Sequence, residues 1–367
     1  MRASAIRVLF DGEIFAMHRH GGISRYFVEL LKRLPTYGVI PRLVVPISFN
    51  EYLAATPQIY RGLCLPRFHV RGSTRLTTRI SRWADHVVPK LVPHDLVHHT
   101  FYAREAISAK PAVCTIVDMI PEVLPDHFTF GNPHQGKSEM ARRCSGIVAI
   151  SESTRSDILK FLPGLKARVV SIPLAVDVSQ FRALSQSAAQ VSGSYILFVG
   201  NRPAYKNFSR FSEAAASILA SSRELRLVCA GGGRLTQVEE LPFREAGVLH
   251  RVEQRQVNDE QLASLYKGAR CFVFPSLYEG FGLPILEAFS LETPVALSST
   301  PCFQEVAGDA AIYFDPEDVD SIRQTIEELL NHEKLRRDLI AHGTKRLAEF
   351  SWERTAELTA RFYREFV

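Results

Sequence analysis

The six cysteines of this 367-residue chain, at positions 64, 114, 144, 229, 271 and 302, form no CxxC pair, so the spacings of a zinc ribbon or a thioredoxin-like redox centre are missing. Several lie inside apolar runs such as LRLVCAG and ARCFVF, where buried free thiols of a reducing compartment are expected rather than disulfides. Long apolar runs are missing too: stretches such as CFVFP (271–275) fall far below the roughly 18 residues that a membrane span requires. Nor does a charged segment followed by an apolar one precede IRVLFDG (6–12), which reads as a first strand, so no signal peptide is expected. A soluble or peripheral cytoplasmic protein follows. The loop GNRPAYKN (200–207) does not follow GxxxxGK[ST], so it is not a Walker loop, and GxGxxG is absent, which weakens a dinucleotide-binding reading. No internal repeat or low-complexity tract is present. The acidic run DPEDVD (315–320) has only a superficial likeness to a metal-binding DxD; its carboxylates are expected to cap the helix 319–331, and no metal or cofactor is required.

What is present is ordinary globular material, with 46% hydrophobic and 23% charged residues, in a chain longer than one core usually supports. Charge is distributed unevenly. Residues 1–185 hold 24 Lys and Arg against 14 Asp and Glu, and the remainder holds 20 against 25, giving +10 and −5. The basic half is expected to face something anionic: a lipid headgroup surface, a phosphate-bearing acceptor or nucleic acid. No RNA- or DNA-reading motif appears, and the glycine loops suit a small anionic ligand better.

Short β-branched runs alternate with amphipathic helical stretches throughout, the pattern of parallel α/β sheets. Strands are predicted at 6–11, 39–46, 95–99, 112–117, 146–150 and 168–172. After the polar stretch 173–193 a second series follows at 195–200, 225–230, 248–252, 271–275, 294–297 and 310–314. The expected fold class is α/β, two doubly wound parallel-sheet domains of Rossmann-like type with a crevice between them. Chemistry in such sheets sits at the carboxyl ends of the strands.

Three strand-end segments stand out. Strand 271–275 leads into Ser276-Leu277-Tyr278-Glu279-Gly280-Phe281-Gly282-Leu283-Pro284 and a helix carrying Glu287. Pro284 suits the first helical position, which would place Glu287 in the first turn, facing the same crevice as Glu279. Gly280 and Gly282 let a ligand approach the backbone, and amides at a helix start favour anions. The second segment, GNRPAYKN (200–207), puts Arg202 and Lys206 four residues apart, able to neutralise a diphosphate leaving group without a metal. The third, HRHGGISRY (18–26), opens a helix with Gly21 and Gly22, whose backbone can meet a phosphate. Each also has a plain structural reading as a capped or basic turn.

Taken together, the three segments resemble the retaining glycosyltransferases of family 4, with the two-domain GT-B fold. YEGFGLPILEA is similar to that family's Glu-x7-Glu motif, GNRPAYKN to its diphosphate loop and GGISRY to its N-terminal glycine loop. TIVDMIPE (115–122), IVAISESTRSDI (147–158) and FSW (350–352) resemble the mannosyltransferase-like branch that builds bacterial surface polysaccharides. The resemblance implies an acceptor-binding domain at 1–180, a nucleotide-sugar-binding domain at 181–350 and a final helix, 351–367, packing back on the first. It implies that Glu287 holds the donor ribose, that Tyr278, Glu279, Gly280, Phe281, Gly282 and Leu283 hold sugar and phosphates, and that Arg202 and Lys206 balance the departing diphosphate. Gly21 and Gly22 would close over the phosphate. Many relatives carry a His before the acceptor-side Asp; here Val117 precedes Asp118, which weakens the assignment of a histidine base and leaves two readings, Asp118 orienting or deprotonating the acceptor, or a leaving phosphate oxygen taking the proton in a retaining front-face mechanism. His98 and His99, ending DLVHH, are expected at the rim of the acceptor side. The implied reaction moves a hexose, mannose or a relative, from a GDP-type donor to a glycan or lipid-linked oligosaccharide. A sugar-nucleotide epimerase, a phosphorylase and a non-catalytic nucleotide-sugar-binding protein are the alternatives.

In residues 71–91, Arg71, Arg75, Arg79 and Arg82 share one helical face, and Leu76, Ile80, Trp83 and Val87 an adjoining one. That pairing suits either a helix resting on an anionic membrane or an ordinary surface helix packing its apolar stripe on the sheet.

Overall fold

The computed structural model describes residues 5–19, 21–65, 73–102, 108–128, 131–134, 136–186 and 193–367, the side chains of 73–75 excepted. The chain divides into two compact units, Met1–Leu174 with Trp352–Val367, and Ala175–Ser351. Each unit is built on a wholly parallel sheet, and among the described residues no helix is long and apolar enough to cross a membrane.

The first sheet has seven strands: β1 (Ile6–Phe10), β2 (Val39–Ser48), β3 (Arg61–Cys64), β4 (Leu96–His99), β5 (Ala112–Ile116), β6 (Gly146–Ala149) and β7 (Arg168–Ser171), in the order β3-β2-β1-β4-β5-β6-β7. Phe10 pairs with Leu43 on one side and His98 on the other. β4 and β6 are buried at every residue, as strands covered on both faces must be, so their sequences read as unbroken runs rather than alternations. β3 was not expected; its RGLC is largely exposed, and an edge strand needs no apolar signature.

The final helix, Trp352–Tyr363, buries Trp352, Thr355, Ala356, Thr359, Ala360, Phe362 and Tyr363, the 3.6-residue stripe of one packed face. Thr355 Oγ1 donates to the Pro173 carbonyl at 2.8 Å, and Arg33 Nε meets Glu353 at 2.7 Å. Gly146 lies beneath this segment: a Cβ there would come within 2.6 Å of Phe366 and 2.7 Å of Phe362.

The helix Ser73–Leu91 turns small and polar residues inward. Thr77, Ser81 and Ala84 are buried, and Thr77 Oγ1 donates to the Ala16 carbonyl at 2.8 Å. Leu76 and Trp83 are 61% and 66% exposed, so the stripe that contains them does not pack on the sheet there. Arg71 lies outside the described residues, as does the Arg75 side chain.

The second sheet has six strands: β8 (Tyr195–Val199), β9 (Arg226–Ala230), β10 (Val252–Arg255), β11 (Cys271–Phe274), β12 (Val295–Ser298) and β13 (Ile312–Phe314), in the order β10-β9-β8-β11-β12-β13. β10 begins where the expected strand 248–252 ends. Residues 249–251 form a 3-10 turn, and half-buried VEQR supplies the ladder partners of Leu227 to Ala230. The polar stretch after 173 also contains a helix, Val178–Leu184, capped by Asp177 and anchored by buried Phe181. Phe198, Phe208 and Phe211 centre this unit's core, each burial contributing about 2–3 kcal/mol.

Candidate active site

In the second unit, the loop after β8 and the loop after β11 are stitched together. Leu277 N donates to the Tyr205 carbonyl at 2.8 Å. Residues Ala204–Lys206 form a 3-10 turn that ends at Asn207, whose left-handed backbone (φ 57°) starts the helix Phe208–Ser221 and whose amide donates to the Pro316 carbonyl at 2.6 Å. This geometry aims Lys206 at the β11 loop. Its Nζ lies 2.5 Å from Glu279 Oε1 and over the rings of Phe274 and Tyr205. Both partners retain some exposure, 17% for the lysine side chain and 13% for the glutamate.

The β11 loop turns through Gly282 (φ 101°), where a Cβ would press on Ile285 and Phe303 at 3.0 and 3.2 Å. The helix Leu283–Ser290 starts one residue earlier than expected, and its first turn holds no acid. Glu287 therefore sits past that turn, where its Oε2 accepts from the Tyr266 hydroxyl at 3.3 Å. Burial and the nearby Glu287 charge push the Tyr266 phenol well up, so it stays a donor. Tyr278 and Phe281 are buried, and the Phe281 carbonyl accepts from Cys302 Sγ at 3.1 Å.

Arg202 departs from expectation. Only 3% of its side chain is exposed. Nε donates to Glu239 Oε1 at 2.7 Å, Nη1 to the Gly231 carbonyl at 3.1 Å, and Nη2 to the carbonyls of Gly232, Gly233 and Arg234 at 3.1, 2.9 and 3.1 Å. A guanidinium open to a diphosphate is not what this loop presents.

In the first unit, the two histidines are interior. His98 is fully buried: Nε2 meets Thr115 Oγ1 at 2.9 Å, Nδ1 meets the Tyr363 hydroxyl, and the ring stacks on Phe10. Burial, with the neighbouring His99, brings its pKa down to about 3, so it is neutral. His99 Nδ1 sits 2.9 Å from Asp11 Oδ2. Burial lowers that imidazole, but the Asp11 hydrogen bond and charge more than offset it and the net shift is upward. Neither forms an acceptor-side rim in this unit; both knit β4 to its neighbours. Gly21 (φ 152°) precedes the helix Gly22–Arg33, with its carbonyl taking Arg25 N at 3.1 Å and Ser24 Oγ at 3.0 Å.

Asp118 follows β5. Its Oδ1 accepts from Ile120 N at 3.1 Å, and its carbonyl accepts from Lys137 Nζ at 2.9 Å. The Lys137 side chain is entirely buried, with Nζ 2.8 Å from Glu122 and 3.8 Å from Asp118 Oδ1, while Asn132 Nδ2 donates to the other Glu122 oxygen at 3.0 Å. Sequence reasoning passed over Lys137, Glu122, Asn132 and Glu239. Glu122 was within reach as the last residue of TIVDMIPE, and Lys137 as the lysine of GNPHQGKS (131–138), which spells GxxxxGK[ST], although neither segment shows the burial of the lysine.

DPEDVD is structural where it is seen: Asp318 takes Asp320 N at 2.8 Å at the head of the helix Val319–Asn331, and Asp315 takes Glu317 N at 2.9 Å. Among the described residues no group of three His, Cys, Asp or Glu could hold a metal ion.

Residues 181–346 match the family described as glycosyl transferases group 1. The O-antigen chain mannosyltransferase B of Escherichia coli is 32% identical over 231 residues, 59% of this chain and 60% of that protein. The serotype-specific mannosyltransferase WbdA of Escherichia coli is 30% identical over 266 residues, 67% of this chain and 32% of that protein. The chain thus spans about three fifths of the first relative and a third of the second. Among solved structures, Anabaena Alr3699/HepE in complex with UDP and glucose superposes with a TM-score of 0.73 at 13% identity, covering 98% of this chain and 99% of that one. WaaG, a glycosyltransferase involved in lipopolysaccharide biosynthesis, superposes with a TM-score of 0.70 at 15% identity, covering 97% and 99%. Residues 181–346 thus match the glycosyl transferases group 1 family, and the chain has the fold of solved structures such as WaaG and Alr3699/HepE.

Proposed function

We propose that this protein transfers a hexose, mannose or a close relative, from a nucleotide diphosphate sugar to a glycan or lipid-linked oligosaccharide during surface-polysaccharide synthesis, with retention of anomeric configuration as in family 4. The observation that carries this reading is the Lys206–Glu279 pair at the end of β11, inside the group 1 domain and next to the Gly280–Gly282 backbone. A cation held in a partly dry site stabilises the charge that grows on a departing diphosphate, and such a contact is worth roughly 3–4 kcal/mol. Glu279 positions that cation and offers its second oxygen to a sugar hydroxyl. Glu287, oriented by Tyr266, is assigned the donor ribose. Asp118, fixed by Lys137 and the Ile120 amide, is assigned the acceptor hydroxyl.

A GDP-sugar is proposed as the donor, in keeping with a mannosyltransferase-like reading of the chain. Helix 73–91 is assigned to an anionic cytoplasmic membrane surface, because Leu76 and Trp83 are exposed beside Arg79 and Arg82. Donor and mechanism are tested by screening a nucleotide-sugar panel and reading the anomeric configuration of the product by NMR. GDP-mannose turnover with a retained α-linkage is expected; an inverted product, or turnover unaffected by Lys206→Ala, overturns the site. Flotation with anionic liposomes tests the helix: an Arg79→Glu/Arg82→Glu variant that binds as wild type does removes the membrane assignment.

A further inference from the structure

The loop after β9 contains Gly231-Gly232-Gly233-Arg234, and its three glycines are consecutive left-handed residues, with φ of 91°, 75° and 73°. Three such residues in a row have no conformational preference holding them there, since glycine is as free in the unfolded chain as any residue can be. Something else must fix the turn. The carbonyls of residues 231–234 converge on the Arg202 guanidinium, whose planar fork can satisfy several acceptors at once. Glu239 completes the arrangement. One of its oxygens holds Arg202 Nε, and the other takes Thr236 N at 2.7 Å in the capping box of the helix Gln237–Glu245. A Cβ on Gly232 would lie 2.4 Å from Arg202 Nη1, so the guanidinium fills the hollow of the turn.

The turn also borders the loop that carries Lys206. Gly200 N donates to the Ala230 carbonyl at 2.8 Å, and the Gly200 carbonyl lies 3.0 Å from where a Gly232 Cβ would be. Gly233, in contrast, faces open space: a Cβ there would meet nothing within 4 Å. The outer edge of the turn is thus bare backbone beside the site assigned to the donor.

We propose that Arg202 is a positioning residue, not a ligand of the diphosphate: it clamps the turn 231–234 into the shape whose side-chain-free edge receives the nucleoside part of the donor. This rests on reading the second unit as a nucleotide-sugar site. Phosphate recognition then falls to Lys206, and Arg202 and Glu239 act as one element although their charges are opposite.

That last consequence separates the clamp from a direct contact. Binding of GMP and GDP is measured by calorimetry in the wild type and in Arg202→Ala, Arg202→Lys, Glu239→Gln and Lys206→Ala. The clamp predicts that both Arg202 variants and Glu239→Gln weaken GMP and GDP alike, each by roughly 10-fold and within about threefold of one another. Lys206→Ala should weaken GDP far more than GMP. A direct diphosphate contact predicts the reverse pattern, with Arg202→Ala sparing GMP and Glu239→Gln, which frees the guanidinium, leaving GDP binding intact or tighter. Either of those results overturns the proposal. Amide exchange at 231–236 is followed in the same variants without nucleotide: it should accelerate in Arg202→Lys and Glu239→Gln, and unchanged exchange overturns the clamp even if the wild type binds no nucleotide. Absence of any nucleotide binding by the wild type, with accelerated exchange in the variants, would refute the donor-site reading while leaving the clamp in place. Arg202→Lys and Glu239→Gln carry the test should Arg202→Ala not fold.

Discussion

The two units answer one chemical problem, ionisable residues at the ends of parallel strands, in opposite ways. In the first, His98, His99 and Asp11 turn inward and make their hydrogen bonds to Tyr363, Thr115, Thr100 and one another. In the second, Lys206 and Glu279 pair but keep a sixth to an eighth of their side chains open. A single loop repeats the contrast, for Arg202 is spent on a neighbouring turn while Lys206, four residues on, meets one carboxylate and stays partly exposed. Position at a strand end therefore does not make a residue chemical; what distinguishes it is whether the fold has already used its hydrogen bonds.

The strongest test of this difference is Lys137→Met. It leaves Glu122 without its buried cation and should destabilise the first unit by about 3–5 kcal/mol, because one half of a buried ion pair is left uncompensated. Trp83 and Trp352 both belong to that unit, so tryptophan fluorescence in urea reads it separately. Lys206→Ala should do the converse, lowering transfer about 100-fold, roughly 3 kcal/mol, with no change in the unfolding of the second unit followed by far-UV circular dichroism. Equal damage to stability from both variants would erase the contrast.

His98 provides a third, pH-dependent probe. Its folded pKa of about 3 lies below the unfolded value near 6.5, so its neutral form contributes stability above pH 6.5 that is lost as pH falls toward 3. Each unit of pH in that window costs about 1.4 kcal/mol, or roughly 2 kcal/mol by pH 5, and His98→Gln should flatten this slope. A wild-type slope already flat between pH 7 and 5 would put the imidazole in water. The smallest effect belongs to Glu287→Gln, which should raise the donor KM about 10-fold, near 1.4 kcal/mol, and leave kcat within a few-fold; a loss confined to kcat would move Glu287 from the ribose to the reacting atoms.

The fold was legible where burial is two-sided. FVFP, LFVG and IVAI are apolar because sheet and helices cover them, and periodicity reads that directly. RGLC and VEQR, at sheet edges, carry no such mark, and the 3-10 turn at 249–251 drew the expected strand too early. The candidate site was legible in its glycines and in Lys206 and Glu279, since strand-end loops announce themselves. Partnerships were not. Arg202 finds its acceptors 29 to 37 residues away, and His98 meets a tyrosine 265 residues on, so no local pattern could show that either was already engaged.

The closing of Phe362 and Phe366 over Gly146 has a consequence for how the molecule is made. Residues 352–367 complete the first unit, yet about 180 residues of the second unit come before them in chain order. On a ribosome adding about 5–20 residues per second, β6 waits roughly ten to forty seconds with that surface bare. The unit that starts first is therefore finished last, and its newborn form is the stage at which a chaperone would find an aromatic-sized gap to cover.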